Sequence, residues 1–158
     1  MKTLILLRHA KSELPSLSQS DFERKLSDKG KIDIIKVSAA FNLLNLQPDI
    51  ILCSSAVRTR ETLSSFLKVT GLKSPVKFLE QLYHASASEI LNVINEFANE
   101  HDTILMVGHN FGISTLADRL SNKGAEQMST SAIHVLQFDE QVEPYQGQLI
   151  HSLSHKTL

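Results

Sequence analysis

Apolar runs that end abruptly in basic residues constrain the fold of this chain more than any other feature. Leu4–Leu7 leads directly into Arg8 and His9, and Ile104–Val107 is followed after one glycine by His109. Short runs of this kind are typical of strands buried on both faces of a parallel sheet. In open α/β sheets, ligands bind at the edge where the parallel strands end. The sequence therefore predicts two histidines at one ligand-binding edge.

Predicted strands and helices alternate along the whole chain. The predicted strands cover residues 2–8, 50–53, 76–79, 103–107, 132–139 and 148–153. The predicted helices cover residues 28–44, 56–69 and 87–99, with a fourth after residue 110. This alternation predicts an α/β fold with one domain over residues 1–158, a three-layer sandwich whose central sheet is mostly parallel and carries helices on both faces. The right-handed crossover rule places the ends of the first, second and fourth strands on the same edge.

Capping signals define where these helices begin. Ser27 suits the N-cap of the first helix, and Ser86 with Glu89 forms a capping box before the third. The first helix is predicted to bury one stripe of apolar residues, namely Ile32, Ile35, Ala39 and Leu43.

The composition excludes several classes of protein. A formal net charge of −1 gives no overall attraction to nucleic acid or to an anionic membrane. Cys53 is the only cysteine, which excludes an intramolecular disulfide framework and a thiolate metal cluster. No apolar run approaches transmembrane length, and no metal-binding motif is present. We expect a cytoplasmic, monomeric protein without metal or other cofactor, and without a nucleic-acid or membrane partner.

The residues at the predicted strand ends suit a transferring phosphoryl group, whose charge is spread over three equatorial oxygens. Arg8 and Arg58 can each present a planar fork to such oxygens. The neutral imidazole of His9 can act as the nucleophile, and His109, before a helix N-terminus, can donate a hydrogen bond. Ser12 can add a hydroxyl group.

Each of these residues also has an ordinary structural interpretation. An arginine–histidine pair at a strand end is commonly a solvated loop start, and Arg58 beside Arg60 and Glu61 fits an exposed helix face. Taken together, these structural interpretations are less convincing, because three separate strand ends would have to carry anion-binding residue types by chance.

Four segments resemble one known family. Leu7–Ser12 (LRHAKS) resembles the Arg-His-Gly/Ala motif of the histidine phosphatase superfamily, also called phosphoglycerate-mutase-like, in the form found in its SixA-type branch of phosphohistidine phosphatases. Asp21–Gly30 is similar to the Asp-x-x-Arg-Pro-Leu-Thr/Ser-x-x-Gly stretch of that branch. Ser54–Thr62 is similar to Ser-x-x-x-Arg-Ala-x-x-Thr, and Val107–Gly112 to Val-Gly-His-Asn-Pro-Gly.

The resemblance implies a phosphoglycerate-mutase-like fold and a covalent mechanism. His9 would be the nucleophile that becomes phosphorylated, and Arg8, Arg58 and His109 would form the phosphate pocket. Three residues depart from the family's pattern: Lys25 and Phe111 in place of prolines, and Thr59 in place of an alanine. None of them removes a charged pocket residue, so the departures concern loop shape and substrate preference.

The residue that protonates the leaving group is the open question of this site. Larger members of the superfamily carry an acidic residue between the arginine and the second histidine, and Glu80 is the candidate here, with His84 as a weaker one. Glu80 is otherwise a surface carboxylate. Arg24 either reaches over the site to attract an anionic substrate or pairs with Asp21 or Glu23 in its own loop.

These observations favour a phosphatase that acts through a phosphorylated His9. The chain between Arg58 and His109 has little room for the cap insertions that enclose small substrates, which favours phosphohistidine in a protein substrate. The alternatives are a small-molecule phosphomonoesterase or sugar-phosphate phosphatase on the same scaffold, and a non-catalytic module that binds a phosphorylated ligand. An enzyme is favoured because all four pocket residues are present.

Overall fold

A six-stranded sheet forms the centre of the protein in the computed structural model, which describes residues 1–158. The strands are β1 (Lys2–Arg8), β2 (Ile50–Ser54), β3 (Val76–Leu79), β4 (Thr103–Gly108), β5 (Ile133–Phe138) and β6 (Gln148–Leu153). Their order is β3-β2-β4-β1-β5-β6. The first four strands in this order are parallel, whereas β5 runs antiparallel to both of its neighbours. The predicted mostly parallel sheet is confirmed.

Two helical layers cover the two faces of this sheet. The helices are α1 (Asp28–Asn42), α2 (Val57–Thr70), α3 (Ala87–Ala98) and α4 (Gly112–Leu120). Along β1, Leu4 and Leu6 belong to the core under α3 and α4, and Ile5 and Leu7 to the core under α1 and α2. Strand residues therefore alternate between two hydrophobic cores, and the predicted three-layer α/β sandwich is confirmed. None of the helices combines the length and apolar character needed to cross a bilayer.

The buried face of α1 differs from the predicted stripe. Ile32, Ile35 and Leu43 are exposed, and the helix instead buries Gly30, Ile34, Val37 and Phe41. The reason lies at Gly30, where an added Cβ would lie 2.1 Å from the carbonyl oxygen of Lys11. This close approach of the backbone fixes the rotation of α1, and the other three residues follow on the same face at helical spacing.

The predicted helix caps are present. The Ser27 side chain accepts a hydrogen bond from the Gly30 N–H, and Ser86 and Glu89 form the reciprocal bonds of a capping box. Gly71 ends α2 in the left-handed conformation, at φ 71°.

Strand register places three strand ends at one edge of the sheet. Arg8 lies opposite Gly108 on the β1–β4 pair, and Cys53 lies opposite Val107 on the β2–β4 pair. The residues that follow β1, β2 and β4 therefore lie near one another, as the crossover rule predicts.

Candidate active site

The sheet edge brings together the two predicted histidines and the two predicted arginines. Arg8 is the last residue of β1 and His9 follows it, His109 follows β4, and Arg58 lies in the first turn of α2. The ring centroids of His9 and His109 are 5.3 Å apart. His9 is 8% exposed, and His109 and Arg58 are each 3% exposed. The site is therefore a set of nearly buried cationic and imidazole groups.

Hydrogen bonding fixes the tautomer of His9. Its Nδ1 lies 2.7 Å from the carbonyl oxygen of Ala10. A carbonyl can only accept, so Nδ1 carries the hydrogen and Nε2 holds the free electron pair. The Ala10 N–H donates to Thr62 Oγ1 at 3.0 Å, which ties this segment to α2.

Burial keeps His9 neutral. Loss of hydration, together with the positive charges of Arg58, Arg8 and Arg24, lowers the pKa of His9 to about 4, even though its bond to Ala10 opposes the shift. A neutral imidazole with Nε2 unprotonated is the form that can attack phosphorus.

The second histidine, His109, forms a hydrogen bond to the last residue of β2. Nε2 of His109 is 2.8 Å from Oγ of Ser54. Burial lowers the pKa of His109 to about 3, and the positive charge of Arg58 acts in the same direction. His109 is therefore also neutral at neutral pH and can donate one hydrogen bond.

Three buried nitrogen atoms of this site have no hydrogen-bond partner: Nε of Arg8, Nε of Arg58 and Nδ1 of His109. The arginine end groups are anchored, because Nη1 of Arg8 donates to the Met128 carbonyl at 2.9 Å and Nη1 of Arg58 to the Asp21 carbonyl at 2.8 Å. Buried polar groups without a partner are rare and costly. The site therefore leaves three buried polar nitrogen atoms unpaired at this edge of the sheet.

Asp21 is a site residue that sequence reasoning missed. It lies in a short 3₁₀ helix, Asp21–Glu23, in the loop between β1 and α1. Its carboxylate accepts hydrogen bonds from Arg24 at 3.0 and 2.7 Å, from Arg58 at 3.1 Å and from the hydroxyl of Tyr83. Although burial alone would raise it, these bonds hold the pKa of Asp21 well below its usual range. The predicted pairing of Arg24 with Asp21 is present, whereas the bond to Arg58 spans 37 positions and has no local signal in the sequence.

His84 also contacts Asp21, with Nε2 3.1 Å from Oδ2. Its ring lies 5.8 Å from that of His109. The weaker of the two acid candidates is therefore at the site.

Ser12 and Glu80 lie in different surroundings. Oγ of Ser12 accepts a hydrogen bond from Nη1 of Arg24 at 3.1 Å, so its partner is the arginine of the same loop. Glu80 is exposed at the start of a second 3₁₀ helix, Glu80–Leu82, and its side chain makes no hydrogen bond or ion pair. The structure brings Ser12 to the rim of the site and leaves Glu80 without a contact there.

Neither a reactive thiol nor a cluster of metal ligands is present at this site. The buried thiol of Cys53 has its pKa raised to about 12 by loss of hydration, which leaves it unreactive. No group of three or more histidine, cysteine, aspartate or glutamate side chains is placed to hold a metal ion.

The family of this chain follows from comparison with known sequences. A sequence profile of the histidine phosphatase superfamily (branch 1) matches residues 4–90. An uncharacterized chloroplastic protein of Arabidopsis thaliana is 35% identical over 140 residues, which are 83% of this chain and 64% of the plant protein. An uncharacterized protein of Mycobacterium tuberculosis is 33% identical over 141 residues, 82% of this chain and 85% of its relative. The chain belongs to the histidine phosphatase superfamily, and it spans slightly less than two thirds of the length of the plant relative.

Solved structures with the same fold include SixA proteins. The structure of SixA from Agrobacterium tumefaciens matches with a TM-score of 0.86 at 22% identity, over 97% of each chain. The protein histidine phosphatase SixA complexed with tungstate matches with a TM-score of 0.85 at 20% identity, over 98% of each chain. A mycobacterial glucosyl-3-phosphoglycerate phosphatase matches with a TM-score of 0.68 at 16% identity, over 94% of this chain. The predicted phosphoglycerate-mutase-like fold and the SixA-type resemblance are confirmed.

Proposed function

We propose that this protein removes phosphate from phosphohistidine in a protein substrate, through a covalent phosphohistidine intermediate on His9. The observation that carries the proposal is the state of His9. Its Nδ1–H is held by the Ala10 carbonyl, and its low pKa leaves Nε2 unprotonated beside the arginine and histidine donors of the pocket.

The proposed reaction has two phosphoryl transfers. In the first, the electron pair of Nε2 of His9 forms a bond to phosphorus while the bond to the substrate's nitrogen breaks. The three equatorial oxygens are stabilised by Arg8, Arg58 and His109, which provide the buried donors described above. In the second, water attacks the phosphorylated His9, the P–N bond breaks, and inorganic phosphate leaves.

The architecture around the pocket supports a protein substrate. Between β2 and β4 the chain forms only α2, β3, the 3₁₀ helix Glu80–Leu82 and α3. No inserted cap stands over the sheet edge, and this openness supports a phosphorylated side chain on another protein as the substrate. The SixA protein that shares this fold is named a protein histidine phosphatase.

The experiment that tests this proposal is to trap the intermediate. Brief mixing with a ³²P-labelled phosphohistidine protein should label the enzyme with a phosphoramidate that is labile in acid and stable in alkali. His9→Ala should abolish both labelling and turnover, while His151→Ala, on β6 at the far side of the sheet, should leave them unchanged. An acid-stable adduct, or label retained in His9→Ala, would contradict the mechanism.

A substrate panel tests the choice of substrate separately. The relationship of this fold to a glucosyl-3-phosphoglycerate phosphatase favours a small-molecule phosphatase as the second candidate. Phosphohistidine protein, phosphoserine protein and sugar phosphates should be compared by kcat/KM. Preference for a sugar phosphate would promote the second candidate.

A further inference from the structure

The leaving group of the proposed reaction must receive a proton, and few groups at the sheet edge can supply one. His9 and His109 are unprotonated near neutral pH, because burial lowers their pKa values to about 4 and about 3. Asp21 is ionised, because its pKa lies far below its usual range. The Tyr83 hydroxyl already donates to Asp21, and its pKa is raised by burial and by that carboxylate.

His84 is the remaining titratable group in contact with these residues. Its ring centroid lies 4.0 Å from that of Tyr83, and its side chain is 57% exposed at the mouth of the site. Histidine is the side chain whose ordinary pKa allows it to give and take a proton near pH 7. By contrast, the side chain of the exposed Glu80 makes no hydrogen bond or ion pair with any of these groups.

The backbone holds His84 in a conformation that side chains rarely adopt. Its φ is +53°, in the left-handed region, where a residue other than glycine is uncommon. The neighbouring chain is fixed on both sides, because the Tyr83 N–H donates to the Glu80 carbonyl and an added Cβ at Gly112 would meet the Ala85 carbonyl oxygen at 2.1 Å. Such conformations persist where the surrounding structure determines them, and they concentrate at functional sites.

We propose that His84 is the general acid and general base of this site and that Asp21 is its positioning residue. The inference rests on the proposed function, since it assigns the proton transfers of that reaction. Ionised Asp21 can only accept, so Nε2 of His84 carries a hydrogen toward it and Nδ1 is the atom that exchanges a proton with substrate.

The proton balance closes over the two steps. As His9 attacks phosphorus, the leaving atom takes the proton from Nδ1 of His84 and departs neutral. His84, now neutral, takes a proton from the attacking water as the P–N bond to His9 breaks. The enzyme returns to its starting state with one water consumed and one phosphate released.

The charges around His84 oppose one another. Asp21, from the β1–α1 loop, is the negative charge that faces His84, and Arg24 and Arg58 bind the same carboxylate. Tyr83 and His109 are neutral neighbours.

The test uses His84→Asn, because asparagine tolerates the left-handed conformation and lacks a titratable group. Two aryl phosphates separate proton transfer from binding: phenyl phosphate, whose leaving oxygen needs a proton, and 2,4-dinitrophenyl phosphate, whose leaving oxygen does not. The variant should lose roughly 10²–10⁴ in kcat/KM on phenyl phosphate and less than about threefold on the dinitrophenyl ester. The alkaline limb of the phenyl phosphate pH profile should also disappear. The control, His151→Asn on β6, should change neither rate.

Several outcomes would overturn the assignment. Equal losses on both esters would indicate a structural role for His84, and no loss on either would exclude it from proton transfer. A selective loss in Glu80→Gln would move the role to that carboxylate. Failure of the proposed function is distinguishable, because the wild-type protein would then leave phosphohistidine intact while the dependence on leaving group in His84→Asn persisted.

Discussion

At the scale of single residues, burial rather than residue type sets the protonation state of the two histidines. An exposed histidine would be partly protonated near neutral pH, whereas His9 and His109 are kept neutral by loss of hydration beside guanidinium groups. Sequence analysis predicted these two histidines with Arg8 and Arg58, since each follows a recognisable apolar run. It missed Asp21 and Tyr83, because their contacts join segments far apart in the chain and leave no periodic pattern.

The lowered pKa values predict a pH dependence of stability. In the unfolded chain the two histidines titrate near 6.5, and in the folded protein near 4 and 3. Between these values the unfolded state binds more protons, so the stabilisation is fully present above pH 6.5 and is lost as the pH falls toward 4. Each histidine can contribute up to about 1.4 kcal/mol per pH unit.

Urea unfolding at several pH values between 7 and 4.5 measures this dependence. Other histidines with lowered pKa values, such as His134, also contribute, so the comparison must be with a variant. His9→Asn/His109→Asn should show a clearly shallower fall in the free energy of unfolding than the wild-type protein. Parallel curves for the two proteins would show that these histidines are not neutral in the folded state.

Arg58 has a geometric role that lysine should not replace. Its Nη1 and Nη2 both bind Asp21, and its Nε is buried without a hydrogen-bond partner. A lysine ammonium is a single point of charge and lacks this fork. Arg58→Lys should lower kcat/KM by roughly 10²–10³, the scale for losing one transition-state donor.

The matched control is Arg60→Lys, half a turn further along α2. Arg60 donates to the Ser55 carbonyl and packs on Phe78, away from the pocket. The kcat/KM of Arg60→Lys should stay within about twofold of the wild-type value, because most surface substitutions have small effects. Equal losses in the two variants would show that α2, rather than the Arg58 fork, is what the substitution disturbs.

At the scale of elements, the sequence predicts strands better than helix orientation. β1, β3 and β6 have the predicted bounds, because short apolar runs between polar residues can hardly be placed otherwise. The prediction for the buried face of α1 was wrong, because the exposed Ile32 and Ile35 have the spacing of a core stripe. The contact that decides the helix orientation is between two backbones, at Gly30 and Lys11. Such contacts depend on tertiary structure and not on local periodicity.

Gly30→Ala tests this explanation of the α1 orientation. Alanine is more favourable than glycine inside a helix by about 1 kcal/mol, so propensity alone predicts a more stable protein. The added methyl group would instead press on the Lys11 carbonyl, and we expect destabilisation by about 1–3 kcal/mol. Urea unfolding should be compared with that of Lys31→Ala, an exposed neighbour expected to be near neutral. A stabilised Gly30→Ala would refute the backbone contact.

At the scale of the whole molecule, a small overall charge conceals a strongly polarised site. The formal net charge is −1, yet Arg8, Arg24 and Arg58 lie around one sheet edge, where Asp21 pairs with Arg24 and Arg58. An anionic substrate is therefore attracted by a local field rather than by the protein's total charge.

The same local field predicts that catalysis needs no divalent metal. Kinases neutralise the transferring phosphoryl group with Mg²⁺, whereas the proposed mechanism assigns that task to Arg8, Arg58 and His109. Turnover should persist in excess EDTA, and vanadate or tungstate, which resemble the reacting phosphoryl group, should inhibit competitively. Arg58→Lys should weaken this inhibition in parallel with its loss of kcat/KM, because both depend on the same donors. If activity were lost in EDTA and restored by a divalent ion, Arg8 and Arg58 could not be the groups that neutralise the charge of the transition state.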